Sequence, residues 1–186
     1  MSGLKRISRR RALAIAGGAL VAIGGAAAVV RTRGYELPAG REAKLQAFSA
    51  WHFVVIAAVA RRIAAPDVED GSVPSTDEVD VAGFVDGYVA RMAEPLRRDL
   101  LRLLAFVEHV APLMTKHASR FSRFTRLAAA EQDRVLSWLE SNDQDLLRGG
   151  FDALKSLVFM GYYRDVRTWK VIGYLGPFVG RPEGGW

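Results

Sequence analysis

From residue 41 to 65 large apolar side chains recur every three or four positions, at Leu45, Phe48, Val55, Ile56, Val59 and Ile63, with His52 on the same face. Neither Gly nor Pro interrupts the run before Pro66, so the spacing predicts one helix over 41–65. Trp51, Phe53 and Val54 make its other faces apolar as well, which places it in the centre of a core rather than on a surface.

Ser75-Thr76-Asp77-Glu78 has the form of a capping box and is expected to open a second helix. Val81, Phe84, Val85, Tyr88, Val89 and Met92 then follow at amphipathic spacing. A third helix is expected from Pro95, acceptable at a first helical position, to a bend near Pro112. Its inner stripe is Leu96, Leu100, Leu103, Leu104, Val107 and Val110, and its outer face carries Arg97, Arg98, Asp99 and Arg102. A fourth spans 129–140 with Val135, Trp138 and Leu139 inward. A fifth begins near Asn142 or Asp143 and uses Leu147, Phe151, Leu154 and Val158, with Gly149-Gly150 weakening its first half.

No apolar/polar alternation persists beyond four positions, and no Asn-Gly or Asp-Gly joins two candidate strands. The fold class is therefore all-α: an irregular single-domain bundle of about five helices over 34–186. From Phe159 onward the chain is rich in Gly and aromatic residues. That suits a non-helical tail laid over a surface, since Gly permits tight turns while Tyr and Trp combine apolar area with a polar end.

The first 33 residues follow another pattern. Lys5, Arg6, Arg9, Arg10 and Arg11 precede an uncharged Ala/Gly-rich run over 12–30, which Arg31 and Arg33 close. Ser8, Arg9, Arg10, Arg11 and Leu13 fit the twin-arginine export address in either of two registers, Ser-Arg-Arg-x-x-Leu or Arg-Arg-x-Leu. That route carries folded proteins, which places the protein in the periplasm or on the periplasmic face of the inner membrane. Nineteen uncharged residues also reach the roughly 20 needed to span a bilayer core, so an uncleaved signal-anchor is the alternative to a cleaved leader.

Charge changes meaning once this segment is set aside. The chain has 26 basic and 20 acidic residues, but seven of the basic and none of the acidic ones lie in 1–33, leaving 19 against 20 in the body. A balanced body lacks the basic stripe of a nucleic-acid binder. There is no cysteine, hence no disulfide framework, thiolate metal site or haem attachment in this chain.

Site chemistry is sparse. His52, His109 and His117 share no ligand spacing, and Glu108 and His109, being adjacent, point apart on a helix. His52 reads as a hydrogen-bonded core histidine. The acidic loop with Asp67, Glu69, Asp70, Asp77 and Glu78 lacks the ordered spacing of a calcium loop and reads as solvated chain before a cap. Nucleotide-binding and nucleophile-elbow motifs are absent, so no catalytic, cofactor-binding or metal residues are assigned.

Several motifs together resemble a known family. Ile63-Ala64-Ala65-Pro66 precedes the acidic loop, followed by Val81-x-x-Phe84-Val85-Asp86, then Arg120-Phe121, Leu127 and Glu131-Gln132-Asp133-x-x-Leu136. The closing stretch holds Met160-Gly161-Tyr162-Tyr163-x-Asp165, Trp169-Lys170-x-Ile172-Gly173-Tyr174 and Gly176-Pro177. These resemble gluconate 2-dehydrogenase subunit 3, the small subunit of membrane-associated flavin dehydrogenases. The resemblance implies a non-catalytic subunit bound to a glucose-methanol-choline-type catalytic subunit that holds FAD, with haem c in a possible third, cytochrome subunit. It also implies that the leader escorts the folded flavoprotein through the twin-arginine translocase.

Two departures mark a shorter branch. Only three residues separate Asp165 from Trp169, where longer members carry a Gly/Asn-rich insertion, and Leu175 stands at a usual Pro. The tail residues expected at the partner interface are Met160, Tyr162, Tyr163, Trp169, Tyr174, Pro177 and Phe178; the same aromatics equally suit closure of the chain's own core. The competing reading of the whole is a free-standing, membrane-anchored envelope protein with another partner.

Overall fold

The computed structural model describes residues 34–64, 72–115 and 122–177. The expected export address at Ser8, Arg9, Arg10, Arg11 and Leu13, the loop acids Asp67, Glu69 and Asp70, His117, Arg120-Phe121 and Phe178 lie outside them. Contacts divide the chain into Met1–Tyr35 and Glu36–Trp186, and all that follows belongs to the second unit.

Six α-helices and three 3-10 segments are described, and no strand. The helices are α1 (Ala50–Ile63), α2 (Val81–Ala90), α3 (Glu94–His109), the short α4 (Ala111–Met114), α5 (Ala129–Glu140) and α6 (Asp145–Tyr163). The 3-10 segments are Glu42–Lys44, Phe124–Arg126 and Val166–Ile172. The expected five helices are all present, and α4 is the continuation of the third beyond its break at Val110.

Helix α1 is the hub, packing on α2, α3, α5, α6 and the turn Phe124–Arg126. An unbroken run from Val55 to Ala60 is buried in it, which explains why no face of this helix is polar. Each fully buried Val or Ile there contributes ~1.5–3 kcal/mol of apolar burial. Val81, Val85 and Val89 of α2, Leu104 and Val107 of α3, Leu139 of α5, and Leu154 and Val158 of α6 complete the core.

The first helix begins nine residues later than its periodicity suggests. Residues 46–48 cannot be helical because their amides are spent elsewhere: Gln46, Ala47 and Phe48 donate to the Asp86 carboxylate of α2 at 2.8, 2.8 and 2.7 Å. Ser49 then caps α1 in a box with His52, its amide donating to His52 Nδ1 at 3.2 Å and its Oγ lying 2.7 Å from the same atom. Upstream, Arg41 grips Asp80 with two bonds of 2.9 and 2.8 Å and lies over the Phe53 ring. Residues 41–48 thus form an arm held on α2 and α1.

The Ser75/Glu78 box also forms, with Ser75 N–H to Glu78 at 2.6 Å and Glu78 N–H to Ser75 Oγ at 3.2 Å. It closes a turn instead of opening a helix, because Asp80 takes a left-handed φ of 53° and itself caps α2 through the Gly83 amide at 3.2 Å. A Cβ on Gly83 would come within 2.3 Å of that carboxylate, so only Gly fits beneath the Arg41–Asp80 pair.

On the third helix, Leu96 and Val110 of the expected inner stripe are exposed. The stripe bends away at both ends, and the buried length is Leu100 to Val107, with Glu108 buried beside them.

Candidate functional site

The closing stretch is more ordered than its glycine content suggests. Phe159 to Tyr163 continue α6 for a further turn, because Gly161 meets α2 at their crossing: a Cβ there would stand 3.0 Å from both Phe84 and Val81. Tyr162 is 1% exposed, and its hydroxyl donates to the Pro74 carbonyl at 3.0 Å, tying α6 to the loop before the Ser75 turn. Burial, then the neighbouring Tyr163 and Asp165, push its phenol pKa upward. Arg164 donates to the Val79 carbonyl at 2.9 Å and lies over Phe84.

Asp165 then caps the last 3-10 segment through the Arg167 amide at 2.9 Å. Its hydrogen bonds to the Arg167 side chain, and then that amide bond, hold its carboxyl down at about 2. Thr168 is wholly buried and donates to the carbonyls of Tyr162 and Asp165. Trp169 Nε1 donates to the Tyr163 carbonyl at 2.7 Å, its ring meets Tyr174 edge-on at 4.9 Å, and Gly173 ends the segment with a left-handed φ of 64°.

Of the residues expected at an interface, Tyr162 is core and Phe178 lies outside the described residues. Tyr163 and Trp169 are half-buried and bonded to each other, while Met160, Tyr174 and Pro177 are exposed. Exposed with them are Val166, Ile172 and Leu175, none of which was among the residues expected at the interface. Their signal was present: after the Asp165 cap, Val166, Trp169 and Ile172 recur at the three-residue period of a 3-10 helix.

The middle signature acts structurally. Glu131 accepts the Ala128 amide and caps α5, Gln132 donates to the Phe124 carbonyl at 3.0 Å, and Asp133 takes Arg62 of α1 in two bonds of 2.7 Å. Glu108, fully buried on α3, accepts from the Thr125 amide and hydroxyl with Arg123 3.9 Å away. Its adjacency to His109 hid this role, since the two diverge and Glu108 faces inward.

Two cavities accompany these elements. One of about 320 Å³ lies between α1 and α2, and its charged lining is Glu36 with the pairs Arg41–Asp80 and Arg61–Asp77. The other, about 350 Å³, is bounded by Ser72, Pro74, Glu78, Val166, Arg167 and Lys170. Neither resembles a dinucleotide cradle, which needs a glycine-rich turn between strand and helix. Among the described residues no group of three or more His, Cys, Asp or Glu is placed to hold a metal ion, and no helix is long and apolar enough to cross a membrane.

His52 is hydrogen-bonded as expected but is half-buried at the start of α1 rather than in the core, because it serves the cap at Ser49. Burial pushes its pKa down to about 4, partly opposed by Asp86. An imidazole that accepts the Ser49 amide at Nδ1 is neutral and carries its proton on Nε2.

No curated protein and no solved structure matches the chain. A family model does: that of gluconate 2-dehydrogenase subunit 3 matches residues 51–176, from the first turn of α1 to Gly176, and takes in the helical signatures and the closing stretch up to Gly176. With more than half of its length so matched, the chain belongs to the gluconate 2-dehydrogenase subunit 3 family.

Proposed function

We propose that this chain is the non-catalytic small subunit of a flavin-dependent alcohol or sugar dehydrogenase, bound to a glucose-methanol-choline-type catalytic subunit that carries FAD. The family match is the observation that carries the reading. Oxidation of a CH–OH donor belongs to the partner in this reading, and electrons pass on through the partner or a cytochrome c subunit.

The residues 1–33 give the second part of the proposal. The Arg9-Arg10-Arg11 address sits on this small chain, and the export machinery it serves accepts folded cargo, so one leader suffices for the assembled pair. This chain escorts the FAD-loaded subunit to the periplasm and stays bound there.

Co-expression with an FAD-containing glucose-methanol-choline-type dehydrogenase as candidate partner tests the escort. Substituting Arg10→Lys together with Arg11→Lys disrupts both registers of the address and is expected to leave the flavoprotein, followed by FAD fluorescence and dehydrogenase activity, in the cytoplasm. Full periplasmic delivery in the double variant would overturn the escort role.

A further inference from the structure

Among the described residues, the last 3-10 segment presents one edge that nothing else covers. With three residues per turn, side chains three apart are eclipsed, so Val166, Trp169 and Ile172 align. Tyr174 joins them through its ring contact with Trp169, and Leu175 follows. Val166 is 64% exposed, Ile172 55%, Tyr174 41% and Leu175 72%. Single exposed apolar side chains are ordinary, but a contiguous set on a rigid support marks a site of association.

The support is rigid for stated reasons. Thr168 pins the segment from beneath, Asp165 caps it and the Trp169 indole is bonded to Tyr163. The edge is thus prepared before any partner arrives, which lowers the ordering cost of binding. The next row of the same helix flanks it with Lys170 and with Arg167, the latter paired to Asp165, beside the cavity at Ser72 and Glu78.

We infer that the edge Val166–Trp169–Ile172, extended by Tyr174 and Leu175, is the anchor on which the catalytic subunit docks, by an apolar groove with a carboxylate reaching Lys170. This rests on the proposed function above. Two observations favour that occupant: the chain belongs to a subunit family, and the family match continues through the edge to Gly176. Five side chains form a hot-spot cluster rather than a complete interface of ~1,600 Å², so further contacts surround them.

The test uses the full chain and the flavoprotein as a complex, captured through a tag on the chain. Ile172→Ser with Leu175→Ser is expected to weaken binding at least about thirtyfold, as loss of a hot spot does. Leu146→Ser, at a large apolar residue 85% exposed on the first turn of α6, should change it less than about threefold, as peripheral residues do. Val166→Ser repeats the test at an already exposed side chain where folding is not at stake, and Lys170→Glu is expected to weaken capture.

Several results would overturn the assignment: unchanged capture by the edge variants while the wild type binds; stronger capture once residues 178–186 are removed, which would make the chain's own tail the occupant; or edge-dependent binding to phosphatidylglycerol vesicles with flavoprotein capture intact. A wild-type chain that captures no flavoprotein at all would instead overturn the subunit reading, and this inference with it.

Discussion

Asp86 Oδ1 accepts the amide of Phe48 at 2.7 Å across 38 residues of sequence, and both groups are buried. The carboxylate takes the amides of Ala47 and Gln46 as well, so a single charge on α2 satisfies three donors that would otherwise be helical or in water. Charge-assisted bonds of this kind are each worth more than neutral ones.

Replacing Asp86 by Ala is expected to destabilise the fold by ~2–4 kcal/mol, since one buried and two part-buried donors lose their partner. Asp86→Asn retains one acceptor and should cost about half as much. Urea denaturation followed by far-UV circular dichroism checks both; a loss below about 1 kcal/mol for Asp86→Ala would contradict the role given to this carboxylate.

The cap at Ser49 carries a pH dependence. His52 has a folded pKa of about 4 against an ordinary 6.5, so between those values the unfolded chain binds the proton more readily than the folded one. Stability from this group is full above pH 6.5 and falls as pH drops toward 4. With the ring partly solvated, the loss should be ~1–2 kcal/mol by pH 4.5. His52→Gln preserves a box acceptor and removes the titration, so its melting temperature should vary less than that of the wild type between pH 7 and pH 4.5. Equal slopes for the two proteins would rule the mechanism out.

At the crossing of α6 and α2, Gly161→Ala would press a methyl group into Phe84 and Val81, and Gly161→Val more so. We expect losses of ~1–2 kcal/mol for Ala and above about 3 kcal/mol for Val, in line with overpacking of a filled core. Thermal melts measure this directly. An Ala variant as stable as the wild type would mean that the helices separate at no cost.

Elements with an internal period were legible in the sequence, and their junctions were not. The stripes Val81 to Val89 and Leu100 to Val107 marked α2 and α3, because burial repeats with the turn. The start of α1 depended on Asp86, some 40 residues away, which no local pattern reveals, although Ser49-x-x-His52 resembles a capping box with an unusual fourth member. At Ser75 the local signal was accurate and its consequence was misread, since one left-handed residue, Asp80, separates the box from the helix.

The tail shows the same division. Its glycines suggested irregular chain, yet Gly161 is helical and serves a helix crossing. Tyr162 could not be told from an interface residue by type, because the feature that makes it core is the Pro74 carbonyl 88 positions earlier. The exposed edge was hidden for another reason: Val166 and Leu175 are ordinary aliphatics, and only their exposure in the folded chain sets them apart.

The arm at 41–48 has one more implication, which concerns the order of synthesis. It is translated ahead of every group that holds it, since its ties run to Phe53, Asp80 and Asp86. A ribosome that has released residue 50 has made the arm and none of those anchors. Residues 41–48 therefore settle only after α2 has been made and packed.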